Sequence, residues 1–247
     1  MKSKVISILK SVLWCVIMLI FPITSGVIAT VAKLDVVETL VLQGGFMAAS
    51  LIIPVAIIIS GKWHFEDVGF NKFEAEGNKR LFYYLPFVLI FVPVAVRGFT
   101  VTSIEYFFGA LFLYLMVGIA EEVYFRGIIP MILRRNFNIV GIIVISSLIF
   151  GLGHVATAFA SNNAVDIALS VTNALIFGFM AIELAIIAKN IIPGIIIHFL
   201  FDFETKIIIM SGQELLIAEL VRGAIMVLNA VWLALVIYKN KDQYSQK

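Results

Sequence analysis

Long apolar stretches separated by short polar connections run along the whole chain. Several are long enough for a helix to cross a hydrocarbon core of about 30 Å, which takes about 20 residues. Strict alternation of apolar and polar residues, typical of a membrane barrel, is absent from the sequence. The pattern therefore predicts an all-α membrane protein, a polytopic bundle of about eight transmembrane helices. The predicted spans are residues 5–31, 37–60, 81–96, 104–124, 139–158, 167–188, 191–210 and 220–238.

The composition supports a membrane protein. Of 247 residues, 62% are hydrophobic and 14% charged, far from the fractions of a soluble domain, and the mean hydropathy is +1.06. The net charge of +2 and the lack of a Lys/Arg-rich run argue against a nucleic-acid partner. Cys15 is the only cysteine, which excludes an intramolecular disulfide and a cysteine-based metal site. No appended soluble domain is visible, so we predict a single transmembrane domain over residues 1–247.

The positive charges predict an orientation. With about eight spans, most cations fall on one side of the membrane, and Lys33, Arg97, Arg222 and Lys206 are the exceptions. Because cytoplasmic loops are enriched in Lys and Arg, we predict a multi-pass cell-membrane protein with both termini in the cytoplasm. The cations on the predicted cytoplasmic side are Lys2, Lys4, Lys10, Lys62, Lys72, Lys79, Arg80, Arg134, Arg135, Lys189, Lys239, Lys241 and Lys247.

Glu121, Glu122 and Arg126 interrupt one of the apolar stretches. A charged side chain at the bilayer centre costs at least about 2.5 kcal/mol, so such residues usually face a protein interior or a water-filled cavity. Residues four apart share a helix face, which lets Glu122 pair with Arg126, whereas Glu121 is turned by about 100° and lacks that partner. We therefore expect Glu121 to be a candidate general base and the other two residues to be scaffold. The alternative is a structural salt bridge between helices.

Two further polar clusters follow in later spans. His154 ends the segment Phe-Gly-Leu-Gly-His, whose small residues let neighbouring helix backbones approach closely. The alternative is that it simply bridges two helices. His198 and Asp202 are four residues apart, a spacing that suits two metal ligands, two groups on one substrate atom, or a plain hydrogen bond. Spacing alone does not choose among these.

The other polar residues inside the predicted spans are expected to be structural: Asn173, Glu183, Glu204, Lys206 and Asn229. The longest polar connection, residues 61–80, mixes aromatic and charged side chains, as interfacial segments do. It is predicted to be a linker on the membrane surface, with His64 in solvent. A cytoplasmic lid is the alternative.

These clusters, in this order on a chain of this size, resemble the CPBP family of intramembrane endopeptidases, which includes the type II CAAX prenyl proteases and bacterial relatives linked to bacteriocin immunity. Residues 121–126 look like the family's EExxxR motif, 150–154 like FxxxH and 198–202 like HxxxN/D. Residues 68–70 look like the short Leu-Gly-Leu element that commonly precedes the family's core. The resemblance places a catalytic core at residues 81–210.

The resemblance implies an endopeptidase that hydrolyses a peptide bond in a membrane-associated protein or peptide without a cofactor. Glu121 and His154 would activate water, and His198 with Asp202 would stabilise the oxyanion. Glu122 and Arg126 would organise the site. Many family members carry Asn at position 202, which donates a hydrogen bond, whereas an ionised Asp202 only accepts and would destabilise an oxyanion. Asp202 is therefore protonated, or it orients His198, or the site binds a metal.

In the metal alternative, His154, His198 and Glu121 would hold zinc, with Glu122 or Asp202 as a further ligand and one position open for water. The absence of an HExxH motif and the scatter of these residues over three spans favour the glutamate mechanism. At a rise of 1.5 Å per residue, His198 lies about 10 Å inside the cytoplasmic end of its predicted span, Glu121 lies near that end of its own, and His154 near the midplane. We therefore predict a wet cavity that opens toward the cytoplasm.

Functions without proteolysis are the alternatives. A proton-coupled transporter or channel could use the same groups as an ion path, although the paired discontinuous segments of a transporter are not visible in the sequence. An immunity or scaffold protein could bind a peptide at this site without turnover. A fourth alternative is acyl transfer on a lipid-linked substrate.

Overall fold

The computed structural model describes residues 2–72, 79–159, 163–208 and 212–244. Within these ranges all regular structure is helical, and the predicted fold class, an all-α membrane bundle, is confirmed. The helices are α1 (Lys2–Ala32), α2 (Val36–Ser50), α3 (Ile52–Ile59), α4 (Val92–Ala95), α5 (Ile104–Glu122), α6 (Ile129–Leu133), α7 (Ile139–Gly153), α8 (Ala164–Ala188), α9 (Ile192–Glu204), α10 (Gly212–Lys239) and α11 (Lys241–Tyr244). A π-helical turn, Val123–Ile128, joins α5 to α6, and 3₁₀ turns cover Glu66–Val68, Lys79–Tyr84, Pro86–Phe91 and His154–Phe159.

Short polar side chains in the connections set where several helices begin. Asp35 accepts from the backbone N–H of Glu38, whose side chain accepts from the backbone of Asp35, so that a capping box starts α2. Ser103, Asn138 and Asn163 accept backbone N–H groups at the starts of α5, α7 and α8. Each cap satisfies a donor that the first turn of a helix leaves unpaired.

Six segments within the described residues are long and apolar enough to cross a membrane, fewer than the predicted eight. They are Lys2–Ala32, Val36–Ile59, Ile104–Leu133, Ile139–Ala156, Ile167–Ala188 and Gln213–Lys239. The predicted span 81–96 is instead a series of short helical pieces, two of which have Pro86 and Pro93 in their first turns, because proline ends the hydrogen-bond pattern of a preceding helix. The predicted span 191–210 contains α9, whose 13 residues extend only about 20 Å.

The connections sort to the two ends of the bundle. At the end that holds the N-terminus, the Asn136 side chain donates to Ser7 Oγ over 2.7 Å, and the Asn71 side chain donates to the Lys189 carbonyl over 2.6 Å. We call this end the terminal face; it comprises the connections 60–72, 134–138 and 189–191 and the last turn of α10. It carries most of the cations outside the bundle, as predicted.

The other end of the bundle, which we call the far face, comprises residues 33–35, 97–103 and 205–208 and the start of α10. Here Arg97 pairs with Glu214 over 2.9 Å, and the Thr100 N–H donates to the Ile207 carbonyl over 2.7 Å. Helices α5, α8 and α10 therefore run from the far face to the terminal face, and α9 runs the opposite way.

The connection after α3 is packed against the bundle in its described part, residues 60–72. His64 is exposed, as predicted, but Val68 is fully buried. The carbonyl of Gly69 accepts from the Ile191 N–H over 3.0 Å at the start of α9. Gly69 has φ +92°, a left-handed conformation that favours glycine. Residues 66–71 are therefore a strap across the terminal face rather than a free surface linker, and residues 73–78 of the predicted linker lie outside the described part.

Candidate active site

A π-helical turn follows directly after the two glutamates. Pro130 has no N–H to donate to the carbonyl of Arg126, and its ring crowds that carbonyl, so the helix widens here and the Ile129 N–H donates to Tyr124. Such turns are frequent at functional sites. The widened turn also continues the span to Leu133, which places Glu121 about 18 Å from the terminal end of the helix. Glu121 is thus deeper than the sequence predicted.

The two glutamates differ as the helical angles predicted. Glu122 Oε1 lies 3.1 Å from Arg126 Nη1, and both side chains are buried. The Arg126 guanidinium lies 4.1 Å from the centre of the Phe150 ring, a cation–π contact that helps to compensate its burial. Glu121 is partly exposed, and its Oε2 has no hydrogen-bond partner among the described residues.

His198 brings the first and third clusters together. Its Nδ1 donates to Glu122 Oε1 over 2.9 Å. Its Nε2 lies 3.6 Å from Glu121 Oε2 and 3.6 Å from Asp202 Oδ2. Because Glu122 fixes one proton on Nδ1, Nε2 accepts a hydrogen bond in the neutral ring and donates one in the imidazolium. Two distances just beyond hydrogen-bond range leave room for a water or substrate atom at Nε2.

His154 stands at the end of α7, where the helix tightens into a 3₁₀ turn. Its Nδ1 lies 3.0 Å from the Phe150 carbonyl oxygen and donates to it. In the neutral ring, Nε2 is therefore the hydrogen-bond acceptor. The Phe150 ring contacts both imidazoles, with ring centroids 4.8 Å from His154 and 6.1 Å from His198. Glu121 interacts electrostatically with both histidines.

A cavity of about 350 Å³ adjoins these groups. It is bordered by His154, His198 and Asp202, whereas Glu122 and Arg126 lie buried behind it. Its other polar lining residues are Tyr114, Ser170, Asn173, Thr205, Lys206, Glu219 and Arg222. These residues lie between the bundle centre and the far face, so the cavity leads away from the face that holds the N-terminus, whereas an opening on the side of the termini was predicted.

Arg222 is part of the bundle, although it was predicted to lie with the cations on the non-cytoplasmic side. Its side chain is fully buried and pairs with Glu219 over 2.8 Å and with Glu204 over 3.1 Å. It also donates to the Phe201 carbonyl over 3.0 Å, and Asn173 donates to the second oxygen of Glu219 over 2.9 Å. A signal was present, since Glu219 lies three residues before Arg222 in another apolar span, and spacings of three and of four residues, as between Glu122 and Arg126, both place a pair on one helix face.

The zinc alternative does not fit the arrangement of the described side chains. Among them, no group of three His, Cys, Asp or Glu residues is gathered as metal ligands would be. We therefore derive no step through a metal ion.

The family comparison bears on the region that contains all three clusters. Residues 103–203 match the model described as Type II CAAX prenyl endopeptidase Rce1-like. The resemblance drawn from the motifs is confirmed. No curated protein and no solved structure gives a significant match. The chain is a multi-pass membrane protein, and the Rce1-like family suggests CAAX-type intramembrane protease activity with a membrane-embedded substrate. The catalytic roles of the six motif residues and the domain limits stay predictions.

Proposed function

We propose that the protein is an intramembrane endopeptidase that hydrolyses a peptide bond of a membrane-associated protein or peptide through a glutamate-activated water. The observation that carries this proposal is the setting of His198, which is held by Glu122 over 2.9 Å and has Glu121 and Asp202 beside its other nitrogen, at the wall of a polar cavity within the membrane bundle. Purely structural charges in such a bundle are expected to be fully paired.

Glu121 is the proposed general base. It takes a proton from the attacking water as the water oxygen bonds to the peptide carbonyl carbon. It then returns the proton to the amide nitrogen as the carbon–nitrogen bond breaks. The unpaired Oε2 of Glu121 supports this role, as does its electrostatic interaction with His154. His154 orients the same water through the nitrogen that does not donate to Phe150.

His198 is the proposed oxyanion donor. In the imidazolium form, its Nε2–H donates to the carbonyl oxygen as negative charge develops there, while Glu122 keeps the ring in place. The pair of Glu122 and Arg126 is buried and fixed before substrate arrives, so that little reorganisation is needed in the transition state. Asp202 is proposed to act as a neutral acid, because an ionised carboxylate beside the oxyanion would oppose it.

The decisive experiment compares membrane peptides, by mass spectrometry, in cells that carry the intact chain or its Glu121→Gln variant. We expect the variant to insert normally and to lose about 10²–10⁴-fold in cleavage, the usual contribution of a general base. An uncut precursor should then accumulate and identify the substrate.

Glu105→Gln is the matched control, because Glu105 lies on the same helix but is exposed near the far face. It should leave cleavage unchanged. Cleavage by Glu121→Gln at the rate of the intact chain would reject the proposal. Proton or ion flux across liposomes without any peptide cleavage would favour the transporter alternative.

A further inference from the structure

Tyr84 lies behind the proposed catalytic groups, at the end of the 3₁₀ turn Lys79–Tyr84 and outside the residues that match the family model. Its side chain is buried, with 7% of its surface exposed, and its hydroxyl has no hydrogen-bond partner among the described residues. The charged groups that interact with it electrostatically are Glu122 and Arg126. Because a buried tyrosine hydroxyl normally finds a partner, the partner of Tyr84 is expected at this ion pair.

Gly194, in the first turn of α9, leaves a small space between Tyr84 and Glu122. A methyl group placed on Gly194 would lie 3.0 Å from Glu122 Oε2 and 3.9 Å from the Tyr84 hydroxyl oxygen. Glu122 Oε2 also lacks a hydrogen bond among the described residues, whereas Oε1 accepts from His198 over 2.9 Å. Two buried oxygen atoms that lack partners therefore border the same space.

The charges around this space decide what it can hold. The carboxylate of Glu122 disfavours an anion, and the guanidinium of Arg126, which pairs with Glu122 over 3.1 Å, disfavours a cation. A water molecule is neutral, and in one position it can accept from the Tyr84 hydroxyl and donate to Glu122 Oε2. Buried waters in proteins typically join polar groups in this way. The ligand that fits is therefore water.

Building on the proposed function, we propose that Tyr84 is a positioning residue that acts through a water held beside Gly194. The Tyr84 hydroxyl donates to this water, and the water donates to Glu122 Oε2. Because Oε1 is already bound to His198 and lies beside Arg126, both oxygens of the carboxylate are then fixed. The His198 ring keeps the orientation in which its Nε2 lies beside Glu121.

Tyr84→Phe and Gly194→Ala test this link from its two sides, since the first removes the hydroxyl and the second fills the space. We expect each to lower the kcat of cleavage about 10- to 100-fold with KM little changed, because a hydrogen bond to a charged group is lost and His198 is less well positioned for the transition state. The double variant should be no slower than the slower single variant, because both substitutions remove the same water.

Two matched controls should keep the kcat of the intact chain. Tyr83→Phe removes a neighbouring hydroxyl and keeps the ring that packs against Trp232. Gly45→Ala adds a methyl group in another helix, where it would meet no atom within 4 Å.

The histidines give a second measurement that does not require turnover, because the chain has only three. In protein labelled with nitrogen-15 only at histidine, the His198 imidazole signals report its bond to Glu122, and their loss in His198→Gln assigns them. We expect Tyr84→Phe and Gly194→Ala to shift these signals and to leave those of the exposed His64 unchanged.

Unchanged His198 signals in Tyr84→Phe would overturn the inference. So would an unchanged kcat, losses that multiply in the double variant, or an equal effect of Tyr83→Phe. If the His198 signals shift as expected but Glu121→Gln cleaves at the rate of the intact chain, the link between Tyr84 and His198 stands and the proposed function fails.

Discussion

Two buried arginines hold the short helix α9 at different points along its length. Arg126 pairs with Glu122, whose carboxylate also accepts from His198 in the middle of α9. Arg222 pairs with Glu219 and donates to a backbone carbonyl near the end of α9. Both guanidiniums also lie over phenylalanine rings. Because α9 is too short to be positioned by the membrane alone, these contacts fix where its histidine and aspartate stand.

The two clusters differ in how completely their polar groups are bonded. Both terminal nitrogens of Arg222 donate a hydrogen bond and both oxygens of Glu219 accept one, while Arg222 Nε and Glu204 Oε1 lack hydrogen bonds among the described residues. Around Arg126, by contrast, both terminal nitrogens and one oxygen each of Glu121 and Glu122 lack hydrogen bonds among the described residues. Buried polar groups are normally satisfied. The difference indicates that the Arg222 cluster is an anchor, whereas the Arg126 cluster keeps bonding capacity for a substrate.

After Glu121→Gln, the largest effect on activity should come from His198, which belongs to the incompletely bonded cluster. His198→Gln removes the proposed charged donor while keeping a polar side chain against Glu122. We expect cleavage to fall about 10²–10³-fold, the usual cost of losing an oxyanion donor. The rate is measured with the precursor identified through Glu121→Gln.

His64→Gln is the matched control for this substitution, since His64 is exposed in the connection after α3. It should cleave as the intact chain does. Retention of full activity by His198→Gln would show that the incompletely bonded cluster has no catalytic role.

The largest effect on stability should come from the anchor. Arg222→Met leaves the buried carboxylate of Glu204 and the partly exposed carboxylate of Glu219 without their shared partner, and breaking a buried pair in this way costs about 3–5 kcal/mol. Unfolding in detergent, followed by circular dichroism, measures the change. Arg97→Met is the control, because the pair of Arg97 and Glu214 is exposed and its loss should cost less than about 1 kcal/mol. Equal losses in the two variants would contradict the anchor role.

The difference between the clusters also explains what the sequence could predict. Helical angles alone were enough to separate Glu121 from the pair of Glu122 and Arg126, because that relation is local to one helix. The contact of Glu122 with His198 depends on how α9 packs against α5, which no periodicity encodes. Residues 191–210 are as apolar as a membrane span, so the early end of α9 was not predictable, whereas the burial of Arg222 had a local signal in the glutamate three residues before it. The fold class followed from hydropathy, whereas the direction of the cavity required the packed helices.

A smaller effect is expected at Asp202, which lies on α9 between the two clusters. Its carboxylate is 3.6 Å from His198 Nε2, whereas Glu122 holds the ring at 2.9 Å, so Asp202 is not needed to orient the imidazole. Asp202→Asn supplies an amide donor in place of a neutral acid. We expect cleavage to change by less than about tenfold, or ~1.4 kcal/mol. A loss as large as that of Glu121→Gln would show that the carboxylate itself is required.

The smallest effect on the cleavage rate should come from removal of zinc with a chelator. This experiment tests whether the unbonded oxygens of the Arg126 cluster bind a metal ion. If zinc bound there, His154, His198 and Glu121 would have to turn their ligand atoms to one point, and His198 would keep only Nε2 for the ion because Nδ1 is bound to Glu122. The described side chains are not gathered in that way. We therefore expect incubation of the purified protein with a strong zinc chelator to leave the cleavage rate unchanged. The parallel measurement is metal content by mass spectrometry of the intact chain and of His198→Gln. Two results together would contradict the glutamate mechanism: a cleavage rate that falls with chelator and recovers with zinc, and a loss of bound zinc in His198→Gln. The attacking water would then be bound to the metal, and the unbonded oxygens would be its ligands.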